Sequence, residues 1–304
     1  MTVTPGLIIR LQSGFYTVQT QDGPWVCHLR GKLKKGRRSG DLAALGDHVL
    51  VTPLAPGRGI IEEIVERKRA LSRTAPTPRG EYQQIIIANP DQAVFIFACA
   101  RPAARFGMLD RFLVIAEKQG IPAVVIANKV DLVGIDTARL LFGRYTQLGY
   151  PVVYTSVKTG EGFDELGFHL SGKISVFAGP SGVGKSSLLN VLLPDLGLKE
   201  QEVSQATTKG KHTTVVRELY PLPRGGYVAD TPGLKALGLW DIEAEELDGY
   251  FPEMHRLVAD CQFNNCTHVH EPGCAVLRAV EAGQIHPERY QSYLRMRFGE
   301  TEAA

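Results

Sequence analysis

A glycine-rich segment near the middle of the chain has the residue types and spacing that hold phosphate groups. It follows the apolar, strand-like run Ile174–Ala178 and opens a helix-like stretch. In such a loop, backbone N–H groups wrap the phosphates, Lys185 would reach the β and γ phosphates, and the Ser186 hydroxyl would ligate Mg²⁺. The predicted nucleotide-binding loop comprises Gly179, Pro180, Ser181, Gly182, Val183, Gly184, Lys185, Ser186 and Ser187.

A second segment suited to phosphate chemistry, Asp230-Thr231-Pro232-Gly233, follows the apolar run Tyr227–Ala229. A carboxylate at a strand end suits a water-mediated contact with Mg²⁺, and Gly233 would let its backbone N–H approach the γ phosphate. By itself, the segment could equally form an ordinary turn. The phosphate loop upstream of it favours the magnesium-binding interpretation. We therefore expect Lys185 and Asp230 to act in catalysis.

Two further segments are typical of guanine recognition. Asn128-Lys129-Val130-Asp131 ends one apolar run, and Thr155-Ser156-Val157-Lys158 ends another. The Asp131 carboxylate would accept hydrogen bonds from the ring N–H and the exocyclic amine of guanine, a donor pair that adenine lacks. All these segments lie at strand ends, where open α/β sheets bind ligands. The predicted base-binding residues are Asn128, Lys129, Asp131, Ser156 and Val157.

The order of these segments along the chain is unusual. Ordinary GTPases run from the phosphate loop through the Asp-x-x-Gly segment to the guanine-binding segment, whereas here the guanine-binding segments come first. Domain termini usually lie close together at the surface, so a circularly permuted chain can assemble the same site. We predict a permuted GTPase with Mg²⁺ and GTP.

A separate cluster near the C-terminus has metal-ligand spacing. Cys261, Cys266 and Cys274 fall within fourteen residues, with His268 and His270 between the last two. Three thiolates and one imidazole satisfy tetrahedral Zn²⁺ with no open position, which is a structural arrangement. Free cysteines are the alternative. Cys27 and Cys99, the other two cysteines, lie in strand-like runs and are expected to be buried apolar residues.

The elements that position these residues fall into three stretches. Residues 1–70 show five short strand-like runs separated by turn residues, as in a small oligonucleotide-binding type of barrel. A basic loop, Lys32–Gly40, would contact phosphates or form a disordered surface loop. Arg67–Arg73 and Ala75–Gly80 are typical of a linker, after which strand-like and helix-like stretches alternate as in a doubly wound α/β domain.

Composition narrows the classes of protein. In 304 residues, 44% are apolar and 22% charged, which excludes wholesale disorder, and no apolar run reaches the roughly 18 residues of a membrane span. Residues 1–80 hold 13 Lys/Arg and 6 Asp/Glu, although the whole chain carries a net charge of only +2. This asymmetry favours a polyanion-facing N-terminal module or a solvated basic surface.

Taken together, the permuted motif order and the cysteine cluster resemble the bacterial ribosome small-subunit-dependent GTPase A (RsgA) family over nearly the whole chain. Ala88–Gln92, Asp110-Arg111-Phe112-Leu113 and Gly210–Thr214 add to the resemblance. It implies an OB-type β-barrel (residues 1–72), a central circularly permuted α/β P-loop GTPase domain (73–238) and a C-terminal helical zinc-binding domain (239–304).

The resemblance also implies individual roles. It selects His268 as the fourth zinc ligand, beside Cys261, Cys266 and Cys274. It suggests His212 as the residue that orients the attacking water, because Leu234 occupies the place where many GTPases carry a glutamine. Stabilising the switch or contacting RNA are the alternatives for His212. Thr213 or Thr214 should contact Mg²⁺ and the γ phosphate, and the sequence does not choose between them.

The expected protein is a cytoplasmic, monomeric GTP hydrolase that binds GTP and GDP, with no membrane association. The resemblance adds binding to the small ribosomal subunit and its rRNA during late assembly, with hydrolysis stimulated by the subunit. Two alternatives stay open, a nucleotide-gated RNA-binding module in which hydrolysis is incidental, and a P-loop kinase or ATPase acting on RNA. The terminal stretch Pro287–Arg297, with Arg289 and Tyr293, suits an RNA-facing helix or an amphipathic helix that closes the domain.

Overall fold

The structure is a computed structural model, and it describes residues 3–12, 14–34, 41–77, 80–194, 217–230 and 242–299. The chain forms two compact units. One comprises Met1–Ala93, Asp164–Ala178 and Lys185–Leu237, and the other comprises Val94–Phe163, Gly179–Gly184 and Gly238–Ala304. None of the helices in the described ranges is long and apolar enough to cross a membrane.

The first unit begins with a closed five-stranded barrel, which confirms the prediction for residues 1–70. β1 pairs with both β2 and β4, and β5 lies between β3 and β4, so the sheet has no free edge. Alternate side chains of β3 point inward because successive strand residues face opposite sides. The strands are β1 (Thr4–Gln12), β2 (Phe15–Thr20), β3 (Gly23–Leu29), β4 (His48–Ala55) and β5 (Arg58–Ile64).

The stretch interpreted as a linker is instead a hairpin. β6 (Ala70–Thr77) and β7 (Gly80–Ala88) form a two-stranded antiparallel sheet. Proline is tolerated in such a sheet because each strand has one unpaired edge. The Asp41 carboxylate accepts hydrogen bonds from the Tyr82 hydroxyl (2.8 Å) and the Ile85 N–H (2.9 Å), contacts that the local sequence does not indicate.

The same unit contains three strands and two helices of the predicted α/β domain. β11 (Ile174–Ala178) is parallel to β13 (Tyr227–Asp230), which pairs antiparallel with β12 (Arg217–Pro221). β12 also pairs with β1 of the barrel. Helix α4 (Lys185–Leu192) begins directly after the glycine-rich loop, and helix α3 (Phe163–Leu170) precedes β11.

The second unit contains β9 (Ala123–Asn128), β10 (Val152–Thr155) and β8 (Gln92–Ala98) from Val94 onward, in the order β10-β9-β8. β9 and β10 are parallel, and the residues of β8 and β9 are all buried, as in a sheet covered on both faces. Helix α1 (Phe106–Lys118) follows β8 and helix α2 (Ile135–Gln147) follows β9. The alternation predicts this arrangement correctly.

The C-terminal part of the second unit is helical, as predicted. It contains α5 (Pro252–His255), α6 (Ala275–Glu281) and α7 (Pro287–Phe298), with short 3₁₀ turns at Leu247–Tyr250 and Val258–Asp260. Helix α7 packs against α1, and Val114 of α1 belongs to the same apolar core as Phe251, Met254 and Tyr293. Burial of these large side chains holds the helices on α1.

Candidate functional site

The glycine-rich loop runs from the end of β11 to the start of α4, the strand–loop–helix context that the sequence predicts. Gly184 has a φ of +97°, and a Cβ there would lie 2.5 Å from the Asn128 Nδ2 atom. A Cβ on Gly179 would lie 2.1 Å from the Ile96 carbonyl oxygen. Only glycine fits these positions without displacing the Asn128 side chain or the Ile96 backbone, so the loop is packed closely on its neighbours. Lys185, Ser186 and Ser187 open α4.

Asn128 joins the guanine-binding segment to the loop. Its side chain is 1% exposed, its Nδ2 donates to the Val183 carbonyl (2.8 Å), and its Oδ1 accepts from the Thr155 hydroxyl (3.0 Å). Both ends of the amide are therefore satisfied, as a buried polar group requires. The sequence identified the Thr155 segment without assigning Thr155 a contact, and its position at the end of β10 was the available signal.

Lys129 makes a second connection to the same loop. Its Nζ donates to the Gly182 carbonyl (2.6 Å) and also to the Arg101 carbonyl. Lys129 has a φ of 62°, in the left-handed region, which is rare for residues other than glycine. Arg101 was missed at the sequence level, although it closely follows the end of β8, where ligand-binding loops of such sheets are found.

Asp131 lies with Ser156, as the predicted base-binding pair should. The Ser156 hydroxyl donates to the Asp131 Oδ1 atom (2.7 Å) and accepts from the Thr159 N–H (3.2 Å). Ser156 is buried, whereas the Asp131 side chain and Val157 are exposed. This arrangement orients a solvent-facing carboxylate, which can accept two hydrogen bonds from a base.

The predicted magnesium residues are placed by the backbone. Asp230 is the last residue of β13, paired in register with Phe177 of the parallel strand β11, and Ser186 lies in the first turn of α4. Parallel strands end at the same edge of a sheet, so the end of β11 and Asp230 share that edge. His212, Thr213, Thr214 and Gly233 lie outside the described residues, and their roles stay predictions.

The three cysteines and His268 lie together. One ligand atom from each of Cys261, Cys266, His268 and Cys274 falls within a group whose members are all within 4.8 Å of one another. The His268 Nδ1 atom is 3.3 Å from Cys274 Sγ and 3.7 Å from Cys261 Sγ. This set of soft sulfur and imidazole donors fits tetrahedral Zn²⁺. His270, the other candidate, is exposed.

The surroundings of this cluster orient its side chains. The His268 Nε2 atom lies 2.9 Å from the Asp248 carboxylate, so Nδ1 is the nitrogen that faces the cysteines. Carboxylate partners of this kind fix the ring orientation of metal-binding histidines. The N–H groups of Ala275 and Leu277 donate to the sulfurs of Cys261 and Cys274, which suits thiolates. Outside the cluster, burial raises the pKa of the Cys27 and Cys99 thiols to about 11, as expected for buried apolar residues.

Two of the candidate RNA-facing residues of the terminal helix are buried in the protein. Arg289 is 1% exposed and pairs with Asp110 and Glu253, and Tyr293 is fully buried, so for these two the amphipathic packing interpretation is correct. Residues 32–34 of the basic loop belong to the 3₁₀ turn Gly31–Lys34, and residues 35–40 lie outside the described residues.

Comparison with known proteins identifies relatives over nearly the whole chain. A family model described as the RsgA N-terminal domain matches residues 5–61, and one described as the RsgA GTPase matches residues 64–240. A protein of Gemmatimonas aurantiaca named small ribosomal subunit biogenesis GTPase RsgA is 44% identical over 300 residues, which cover 97% of each chain. A protein of the same name from Moorella thermoacetica is 43% identical over 95% of this chain and 94% of its own.

Solved structures show the same architecture. YjeQ from Thermotoga maritima has a TM-score of 0.80 and 38% identity and covers 100% of both chains. YloQ, described as a circularly permuted GTPase, has a TM-score of 0.77 and 33% identity and covers 98% of this chain and 95% of its own. These matches confirm the predicted fold class of a barrel, a permuted GTPase domain and a C-terminal segment with a Cys/His cluster.

Proposed function

The chain belongs to the RsgA GTPase family, and on that premise we propose that it hydrolyses GTP during biogenesis of the small ribosomal subunit. One observation carries the GTPase assignment to this chain's own residues: Asn128 and Lys129 of the guanine-binding segment bond directly to Val183 and Gly182 of the phosphate loop. A base-reading segment and a phosphate loop joined in this way hold both ends of one nucleotide.

We assign guanine selectivity to Asp131. Its exposed carboxylate, oriented by Ser156, accepts hydrogen bonds from the ring N–H and the exocyclic amine of guanine. Adenine has no such donor pair and leaves the carboxylate unpaired, which penalises its binding. Ser156 and Val157 support the base through backbone contacts.

We propose that the residues around the phosphates position the nucleotide and stabilise the negative charge of the reacting phosphates. Lys185 and the loop N–H groups bind the β and γ phosphates, and Ser186, Asp230 and Thr213 or Thr214 hold Mg²⁺ directly or through water. Gly233 offers a backbone N–H to the γ phosphate. His212 orients the attacking water, since Leu234 has no hydrogen-bonding side chain.

The Cys261, Cys266, His268 and Cys274 side chains are proposed to hold one structural Zn²⁺. Through a bound ion, these side chains would join the turn at residues 261–268 to the start of α6, where Cys274 is the N-cap residue. The role of the ion is to hold the C-terminal segment in shape, and no step of hydrolysis passes through it.

The proposed partners are GTP, GDP and the small ribosomal subunit with its rRNA. The basic surplus of residues 1–80 supports contact between the barrel and RNA phosphates. We place the protein in the cytoplasm, where these partners assemble, and expect it to act as a monomer.

The test is GTP turnover by the purified protein with and without isolated small ribosomal subunits, using ATP as the control nucleotide. Strong stimulation that is specific for GTP supports the proposal. Tight GTP binding with no stimulation favours the nucleotide-gated RNA-binding module. Equal turnover of ATP and GTP contradicts the guanine assignment.

A further inference from the structure

A buried cluster of charges lies in the second unit, away from the residues assigned so far. Arg289 of α7 is 1% exposed, and its guanidinium donates to Asp110 Oδ1 (2.8 Å) and to both oxygens of Glu253 (2.7 and 3.1 Å). Its Cζ atom lies 4.5 Å from the centroid of the Phe251 ring. The guanidinium is thus held by two carboxylates and an aromatic face.

Asp110 is the point at which three helices meet. Its Oδ1 atom accepts from Arg289 of α7 and from the Tyr145 hydroxyl of α2 (2.9 Å), while Asp110 itself lies on α1. Burial and the neighbouring Asp110 raise the pKa of Tyr145, so the phenol stays protonated and donates. Asp110 belongs to the Asp110-Arg111-Phe112-Leu113 segment of the family resemblance, to which the proposed chemistry assigns no role.

These helices flank the guanine-binding segment. Helix α1 precedes β9 and α2 follows it, with Asn128–Asp131 between them. The start of α1 has no side-chain cap, because Arg105 accepts no capping hydrogen bond. No side-chain cap holds the helix start, whereas the hydrogen bonds of Asp110 tie α1 to α2 and α7. The loop before it carries the Arg101 carbonyl that accepts from Lys129.

Stability alone is a weak reason for such a cluster. Buried ion pairs pay a large desolvation cost, and apolar replacements of a whole cluster are often neutral or stabilising. A guanidinium that donates to two carboxylates fixes the relative positions of the elements that carry them, because its hydrogen bonds have defined directions. We propose that Arg289 is a positioning residue for guanine nucleotide binding. Through Asp110 it fixes α1 and α2, and through the Arg101 carbonyl it fixes Lys129 against the phosphate loop.

This inference rests on the proposed guanine site, and the test measures affinity for GDP by titration of a fluorescent GDP analogue into the full-length protein. Arg289→Lys keeps the charge and loses the forked geometry. We expect it to weaken GDP binding about 5-fold, within the range typical of coupling through packed networks. A neutral cluster, with Asp110→Asn, Glu253→Gln and Arg289→Met combined, should weaken it about 10-fold while the protein remains folded.

The matched control is a second ion pair, the half-buried Arg67 with the buried Asp47 in the first unit, whose Nε–Oδ1 and Nη2–Oδ2 distances are both 2.7 Å. Arg67→Met combined with Asp47→Asn should change the melting temperature and leave GDP affinity unchanged. In a Lys129→Ala background, Arg289→Lys should have little further effect on GDP affinity, since both changes act on one connection.

The outcomes separate the two claims. If Asp131→Asn leaves the preference for guanine intact, the proposed guanine site is wrong. If that preference changes but both Arg289 variants fold and bind GDP like the wild type, the positioning role is overturned. An equal loss of GDP affinity in the Arg67 control also overturns it, because the effect is then one of general stability.

Discussion

The Asn128 amide donates to the Val183 carbonyl across 2.8 Å, linking the guanine-binding segment to the phosphate loop. The two residues are 55 positions apart in the chain. In a protein of ordinary motif order the phosphate loop comes first, whereas here Asn128 precedes it. The bond shows that the reversed order of the two segments does not prevent contact between them, because that contact depends on spatial proximity and is independent of connectivity.

Asn128→Ala should weaken GTP and GDP binding alike, by about 10-fold, because the buried Val183 carbonyl and Thr155 hydroxyl both lose a partner. Thr155→Val is the matched control, since it removes only one of the two bonds and should have the smaller effect. Nucleotide titration of both variants tests whether Asn128→Ala has the larger effect on affinity. An Asn128→Ala protein with wild-type affinity for both nucleotides contradicts the assigned contact.

Asp131→Asn should change the base preference of the protein from guanine to xanthine. An amide at this position can donate to the C2 carbonyl of xanthine, whereas it meets the exocyclic amine of guanine with its own N–H group. We expect the ratio of GTP to XTP binding to change by about 100-fold or more in favour of XTP. Competition between the two nucleotides measures it, and an unchanged ratio would falsify the role of Asp131.

His212→Ala should lower the rate of GTP hydrolysis by about 100-fold and leave GTP affinity nearly unchanged, because water orientation contributes only in the transition state. Single-turnover hydrolysis and nucleotide titration measure the two quantities separately. If affinity falls and the hydrolysis rate of bound GTP does not, His212 serves binding or the shape of the switch.

Removal of zinc should unfold the C-terminal segment first. Cys274→Ser is expected to lower both the zinc content and the melting temperature, and a strong chelator should do the same to the wild type, since metal-binding energy contributes to folding. Cys27→Ala is the control: it removes a buried thiol, and its melting temperature should keep the wild-type response to the chelator. A Cys274→Ser protein with a full zinc content contradicts the ligand set.

His286 should make stability depend on pH. Its Nδ1 atom caps α7 by accepting from the Glu288 N–H (3.2 Å), and Arg144 Nη1 lies 3.2 Å from the same atom. Burial and then Arg144 lower the pKa of His286, against the opposing charges of Glu288 and Asp110. The folded state therefore prefers neutral imidazole, so this contribution is complete above the unfolded pKa of about 6.5 and is lost as pH falls through the folded pKa.

His286→Asn tests this, because asparagine keeps a capping acceptor and does not titrate. Between pH 8 and pH 5 the melting temperature of the variant should fall less than that of the wild type. Any loss of zinc in acid is common to both proteins and cancels in the difference. Parallel melting curves for the two proteins over this range contradict the titration of His286.

Local patterns along the chain were sufficient for much of the fold. Five short runs with turn residues between them predicted the barrel, because alternation of inward and outward residues is a local property of a strand. The same reasoning missed the β6–β7 hairpin, in a stretch rich in proline and basic residues. Its contacts include the Asp41 carboxylate, which lies 41 positions from Tyr82 and 44 from Ile85.

The terminal helix shows the same division. Its helical pattern is evident in the sequence, and in the structure the helix begins at Pro287. Whether Arg289 faces RNA or the protein interior is not a property of the helix itself. That outcome depends on Asp110, 179 positions away, and on Glu253, 36 positions away.

The sequence by itself determined which segments are candidates for chemistry: the predicted phosphate loop, the predicted guanine-binding residues, the cysteine cluster and their permuted order all depend on residue types at short spacing. Tertiary structure decided which of these groups touch. It brought the Lys129 side chain to the Gly182 carbonyl and buried Arg289 against Asp110. It also bonded Nε2 of His268 to Asp248, so that Nδ1 faces the cysteines. Such contacts depend on packing between distant segments, where burial and geometry select among partners that the local sequence leaves equivalent.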